Sequence, residues 1–237
     1  MNRSQRLIIN ESIKSPIGEA YRAIRTNIQF SMPKGQLKTI LVTSSTPGEG
    51  KSTTAANLAI TMAESGIRVL LIDADLRKPT IYKLFQVSNL KGLTNVLAEG
   101  ADYREFIKPT VVEGLDILPA GPNPPNPSEL LGSDGMRELL DLAKNHYDLV
   151  ILDTPPVLPV TDAAILASQV DGVVFITAHG QATFDAVARS KTQLENVGAK
   201  ILGVILNRVP VSKRSGNSYY YYEGYGSSEV PERTLQK

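Results

Sequence analysis

The sequence predicts an α/β protein with a mostly parallel, twisted sheet and helices on both faces. Three observations carry that expectation. Residues 68–74 (RVLLIDA), 148–153 (DLVILD), 172–177 (GVVFIT) and 200–206 (KILGVIL) are nearly continuous apolar runs. Such runs suit strands covered on both faces, the habit of parallel sheets rather than of one-sided antiparallel ones. Helical patterns alternate with them along the chain, as crossover connections require. Finally, 237 residues with 42% hydrophobic content suffice for one large domain around a single sheet.

At the N-terminus, residues 1–13 read as a flexible lead, and residues 14–210 as the folded domain. Residues 1–38 carry seven Lys or Arg against two Glu. Pro16 is suited to open a helix spanning about residues 16–31. Ile17, Ala20, Tyr21, Ile24 and Ile28 follow helical spacing and form an apolar stripe expected to pack on the domain. Glu19, Arg22 and Arg25, each three residues apart, fall on another side. From spacing alone they are a solvated charged face.

Residues 40–43 form the first strand and run into VTSSTPGEGKSTT at 42–54. Gly48 and Gly50 permit backbone N–H groups to turn toward an anion without a Cβ in the way. An alanine-rich helical pattern opens after Thr53 and presents its N-terminal dipole to the same place. Lys51 supplies a charge for phosphates, and the Ser52 hydroxyl suits Mg²⁺. Strand, glycine loop and helix in that order make a phosphate loop, so the domain is a P-loop nucleotide-binding protein. Gly48, Glu49, Gly50, Lys51, Ser52 and Thr53 are its candidate ATP-binding residues. Ser45 departs from the usual Gly or Ala at the first position of the motif.

Gly66 closes that helix. The buried strand at 68–74 then delivers Asp73 and Asp75 to its carboxyl end, where open parallel sheets bind ligands. Two aspartates before Pro79 also suit a turn. Short helical pieces follow (IYKLFQ, GLTNVLAEG, DYREFI), then a strand at 115–118. GPNPPNP at 121–127 holds four prolines and reads as a rigid loop. Ser128 is expected to cap the next helix. The strand at 148–153 ends in Asp153, placed as a second acid for holding Mg²⁺ through water. Asn207 follows the last strand directly, either to read an adenine edge or as part of a strand-ending turn.

Beyond Pro210 the chain changes character. Residues 211–237 are nearly free of aliphatic side chains and are expected to be a disordered tail. Five of the nine tyrosines fall there: Tyr219, Tyr220, Tyr221, Tyr222 and Tyr225. They suit an aromatic interaction tail, stacking on nucleic acid, or phosphorylation. About ten flexible residues span roughly 15–20 Å, so reach permits the last.

Composition narrows the field. A net charge of +1 gives no global case for nucleic acid as a partner. With no cysteine, disulfides, zinc thiolates and cysteine nucleophiles are excluded. No apolar run reaches the ~18 residues of a membrane-spanning helix.

The phosphate loop, LLIDADLRKP at 70–79, LVILDTPP at 149–156, EAYRAIR at 19–25 and the tyrosine-rich tail together resemble the bacterial tyrosine kinases (BY-kinases) of capsule and exopolysaccharide synthesis. The likeness runs from about residue 14 to the C-terminus. It implies a stand-alone cytoplasmic protein-tyrosine kinase using ATP and Mg²⁺, with catalytic roles for Lys51, Asp73, Asp75 and Asp153. Ser52, Asp75 and Asp153 would serve the metal. Glu19, Arg22 and Arg25 match the family's oligomerisation motif, which turns the solvated-face reading into a subunit contact in a ring. Autophosphorylation of Tyr219 to Tyr222 and Tyr225 is implied to occur between subunits and to loosen that ring. The implied partners are a membrane-anchored adaptor that recruits the kinase to the inner membrane face, a cognate phosphotyrosine phosphatase, and protein substrates such as sugar-nucleotide enzymes. The alternative is a partitioning-type ATPase switch without kinase activity. Those ATPases carry a signature lysine where Thr46 stands here.

Overall fold

The computed structural model describes residues 7–8, 15–33 and 35–210. The elements in chain order are α1 (Pro16–Phe30), β1 (Thr39–Ser44), α2 (Lys51–Ala63), β2 (Val69–Asp73), α3 (Ile81–Phe85), α4 (Leu93–Glu99), β3 (Lys108–Pro109), β4 (Leu115–Leu118), α5 (Pro127–Leu131), α6 (Asp134–His146), β5 (Leu149–Asp153), α7 (Asp162–Ala167), β6 (Gly172–Ala178), α8 (Phe184–Asn196) and β7 (Ile201–Asn207). Among the described residues the strands form one sheet, ordered β3-β4-β2-β5-β1-β6-β7. Every neighbouring pair is parallel except β3 with β4.

β1, β2 and β5 are buried along their whole length, which is why their sequences show no alternation. Their two faces feed two cores. One face packs Ile40, Val42, Leu71 and Ile151 against α2, Ile28 of α1 and Ile81 of α3. The other packs Leu41, Leu70, Ile72, Val150 and Leu152 against residues of α4 to α8. Alternate side chains of one strand thus serve opposite layers. α2 is buried almost all round because α1 covers the side that the sheet does not.

Four local expectations change. α5 starts two residues earlier than a Ser128 cap allows, with Asn126 as N-cap and Pro127 in the first position, where a missing N–H costs nothing. It ends at Leu131, and a second helix, α6, opens after Ser133. β7 is not a buried strand: it is the sheet edge, and Val204 and Leu206 are 59% and 54% exposed. β3 is an antiparallel edge pairing of two residues ending in Pro109, a residue tolerated only at such an edge. The apolar stripe of α1 packs through Tyr21, Ile24 and Ile28, while Ile17 and Ala20 face outward.

α1 itself is capped by Ser15, whose hydroxyl accepts the Gly18 N–H at 3.0 Å. Arg22 donates to Glu19 at 2.6 Å. Arg25 donates to the Thr61 carbonyl of α2 at 3.0 Å. All three charged residues are half-buried rather than fully solvated. The tail tyrosines Tyr219 to Tyr225 lie outside the described residues.

Candidate active site

The loop between β1 and α2 is held from outside. The Ser44 hydroxyl donates to the Thr46 carbonyl at 3.0 Å, the Gln181 amide to the Pro47 carbonyl at 2.8 Å, and the Asn207 amide to the Glu49 carbonyl at 2.9 Å. With those carbonyls engaged, the peptide units are oriented to leave N–H groups for an anion. Gly48 and Gly50 take positive φ values of 87° and 94°, which only glycine adopts without strain. At Gly50 a Cβ would also lie 2.1 Å from the Asn207 amide nitrogen. Asn207 therefore holds the loop from the end of β7.

Glu49 behaves differently from a ligand-facing residue. Its carboxylate is fully buried and accepts the N–H groups of Ser45 and Thr46 at 3.0 and 3.4 Å and the Thr46 hydroxyl at 3.2 Å. Its side chain braces the loop, and only its backbone is left for phosphate. Ser52 and Thr53 stand in the first turn of α2, whose leading N–H groups have no helical carbonyl to bond.

The acids come from two adjacent strands. In the register of β2 and β5, Asp73 is the direct neighbour of Asp153. The Asp153 backbone carbonyl accepts the Ala74 N–H at 2.8 Å, locking that alignment. Lys51 Nζ sits 2.9 Å from Asp75 Oδ2 and 3.8 Å from Asp153 Oδ1. Asp75 Oδ1 accepts the Lys78 N–H at 3.0 Å, and Asp73 Oδ2 accepts those of Thr80 and Ile81, both at 3.0 Å. Both aspartates thus bond the turn that follows them, and Asp75 also meets Lys51 of the phosphate loop.

Among the described residues, the buried oxygens without a hydrogen-bond partner include Asp73 Oδ1 and both oxygens of Asp153. Burial raises the proton affinity of Asp73, and the Asp153 charge raises it further, against the opposing pull of two N–H bonds. Burial likewise raises Asp153, with Lys51 as the main opposing influence. For Lys51, burial works to lower the pKa, but Asp153 and Asp75 outweigh it and the ammonium is held above its ordinary value. Such a cluster of buried acids is where a hydrated divalent cation fits, because Mg²⁺ binds through few protein oxygens and keeps its waters. Among the described residues no three His, Cys, Asp or Glu side chains form a cage of their own. The fitting ligands are the Ser52 hydroxyl and Asp153, with phosphate oxygens and water to complete the shell.

The structure brings together Gly48, Gly50, Lys51, Ser52, Thr53, Asp73, Asp75, Asp153 and Asn207. The bracing role of Gln181 lay in a loop with no motif to announce it. Arg77, Ser128 and Asp162 were also missed: Arg77 reaches from the turn after β2 to a fully buried Asp162 at the start of α7. Nothing in TDAAILA at 161–167 marks that aspartate as other than a helix-opening residue.

A parallel sheet delivering a glycine loop, a buried lysine and two strand-end acids to one edge defines a P-loop nucleotide-binding protein. The family model described as AAA domain matches residues 37–201. The chain is 47% identical over 207 residues to tyrosine-protein kinase YwqD of Bacillus subtilis, covering 87% of each. It is 41% identical over 218 residues to putative tyrosine-protein kinase CapB of Staphylococcus aureus, covering 92% of this chain and 95% of that one. The solved kinase domain of Escherichia coli tyrosine kinase ETK superposes with a TM-score of 0.84 at 38% identity, covering 89% of this chain and 82% of that one. The chain belongs to the bacterial tyrosine kinases and is a protein-tyrosine kinase.

Proposed function

We propose that this kinase transfers the γ-phosphoryl group of ATP to its own tail tyrosines Tyr219, Tyr220, Tyr221, Tyr222 and Tyr225, between subunits of a ring-shaped homo-oligomer. In this way it regulates capsule or exopolysaccharide synthesis. The observation that carries the reading is the buried Lys51 between Asp75 and Asp153, beside the uncommitted Oδ1 of Asp73. Lys51 and the loop amides hold the phosphates, and Asn207 keeps the loop in shape. Mg²⁺, held by Ser52 and Asp153 with Asp75 nearby, supplies neutralisation of phosphate charge. Phosphoryl transfer is mostly positioning and charge compensation, so the acids matter through where they stand. Asp75 has both oxygens engaged, whereas Asp73 combines a free oxygen with raised proton affinity. We therefore assign the orienting and proton-accepting role toward the tyrosine hydroxyl to Asp73.

Glu19, Arg22 and Arg25 are the proposed subunit contact, on a helix whose Ile17 and Ala20 are exposed for a neighbour. The proposed location is the cytoplasm, at the inner membrane face, through a membrane-anchored adaptor. Among the described residues no helix is long and apolar enough to cross a membrane. A phosphotyrosine phosphatase and sugar-nucleotide enzymes are the proposed remaining partners.

The test incubates the protein with Mg-ATP and the cytoplasmic segment of a candidate adaptor. Phosphotyrosine is mapped by mass spectrometry beside ATP hydrolysis, with Lys51→Met and a chain ending at Val211 as controls. Phosphate on Tyr219 to Tyr225 that disappears with Lys51 supports the autokinase. Hydrolysis without phosphotyrosine, unchanged by truncation, would replace it with an ATPase switch.

A further inference from the structure

The Asp162 carboxylate is fully buried and belongs to none of the nucleotide-binding motifs. It takes both arms of the Arg77 guanidinium, Nε at 2.9 Å and Nη2 at 3.0 Å, and the Ser128 hydroxyl at 2.7 Å. Arg77 Nη2 also donates to the Ser128 hydroxyl at 3.1 Å, and the Arg77 carbonyl accepts from the Asn123 amide at 3.3 Å. Four pieces of chain meet there: the turn after β2, the proline-rich loop, the first turn of α5 and the first turn of α7.

That turn is the one that fixes the catalytic acids. Lys78, the residue after Arg77, gives its N–H to Asp75, and Thr80 and Ile81 give theirs to Asp73. Asp75 is held from the other side by Lys51. The turn itself carries few apolar anchors: Leu76 is buried, but Arg77 and Lys78 are exposed and Pro79 and Thr80 half-buried. A buried ion pair is not a strong source of stability, since apolar replacements are often neutral or better. A bidentate guanidinium–carboxylate fork does supply direction, because both groups are planar and two parallel bonds fix their relative angle.

We propose that Asp162, acting through Arg77, is a positioning residue for tyrosine phosphorylation. The fork ties the 75–80 turn to α5 and α7, so that Asp73 and Asp75 stand in register with Lys51 and Asp153. This deepens the assignment of those acids and rests on it. The proline-rich loop is tied to the same point through Asn123, which makes the fork the joint between the catalytic turn and the rim on the α5 side.

The test compares Asp162→Asn, Arg77→Lys and the double variant Asp162→Asn/Arg77→Gln with the unaltered chain and with Asp75→Asn. The readouts are kcat and KM for ATP in phosphotyrosine formation, affinity for a fluorescent ADP analogue with Mg²⁺, and the melting midpoint. A fork that positions the acids predicts a kcat lower by about tenfold to a hundredfold, with KM and nucleotide affinity within about twofold. The double variant removes both charges and so avoids a lone buried ion, and its loss should match the single variants rather than their product. Near-normal kcat in a folded double variant overturns the proposal. So does a parallel fall of nucleotide affinity and melting midpoint, which would mark the fork as structural. Normal transfer by Asp75→Asn with a defective Asp162→Asn would instead remove Asp75 from the assignment of the acids and leave the fork acting through Asp73 alone.

Discussion

Three carboxylates face one buried ammonium at the edge of the sheet, and that imbalance sets what single substitutions do. Asp73→Asn keeps an oxygen for the Thr80 and Ile81 N–H groups while removing a like charge beside Asp153. In metal-free buffer near pH 8 this variant should gain on the order of 1 kcal/mol of stability while losing tyrosine phosphorylation. Calorimetry and phosphotyrosine mapping on the same sample check both halves, and a less stable variant would contradict the electrostatic account. The pH dependence follows from the same groups. Asp73 and Asp153 hold protons to higher pH in the folded chain than in the unfolded one. Over that window the folded state binds more protons, so stability falls as pH rises from the ordinary carboxylate range toward pH 8 or so. Lys51 stays charged throughout and does not reverse the sign. Melting in chelator should therefore drop between about pH 5 and pH 8, and Mg-ADP should raise the midpoint more at the higher pH. A flat profile would mean that the acids are better compensated than the geometry indicates.

Elements are joined at a few backbone contacts, and these predict where helices loosen. The N-terminus of α4 gives the Leu93 and Thr94 N–H groups to the carbonyls of Pro119 and Ala120, which follow β4. A Cβ on Gly92 would lie 1.9 Å from the Pro119 oxygen. Gly92→Ala should cost about 3 kcal/mol, at the upper end of overpacking, because a carbonyl cannot swing away as a side chain tip would. Denaturant unfolding gives the number, and a loss under about 0.5 kcal/mol, the ordinary surface value, would show that α4 slides freely. α1 is attached to α2 by apolar packing and by the Arg25 bond to Thr61. Arg25→Ala should cost about 1 kcal/mol in the monomer, the net worth of one such bond. If Arg25 also serves a subunit contact, the assembly measured by light scattering should weaken by more than the monomer's loss explains.

For the molecule as a whole, the sheet brings the nucleotide site and the last strand to one edge, since β7 ends at Asn207 on the phosphate loop. The tail follows directly in sequence. Mixing the Lys51→Met full chain with an active chain ending at Val211 separates donor from acceptor. Phosphate on the Lys51→Met tail is the expected result of transfer between subunits, and its absence alongside normal autophosphorylation of the intact chain would mean transfer within one chain. The proposed ring also gives meaning to the edge strand. β7 leaves Val204 and Leu206 open to solvent, whereas a sequence of the same apolarity at the sheet centre would be covered.

Much of the nucleotide site is local, and the sequence by itself determined it: strand, glycine loop, helix start and two strand ends terminating in aspartate are contiguous features. Their residue types are dictated by φ angles, dipoles and charge close at hand, so Gly48, Gly50, Lys51, Ser52, Asp73, Asp75 and Asp153 are legible without a fold. The alternation of apolar runs with helical patterns likewise sufficed for a parallel α/β sheet. Strand order was not legible, and with it went the distinction between buried β5 and half-open β7, whose runs read alike. The inward turn of the Glu49 side chain, the Gln181 and Asn207 bonds to the loop, and the Arg77–Asp162 fork were decided only by tertiary structure. Each joins residues from 85 to 158 positions apart, apart from the Glu49 brace. No periodicity or spacing encodes such a pair, because burial and geometry are fixed only when the layers close on the sheet.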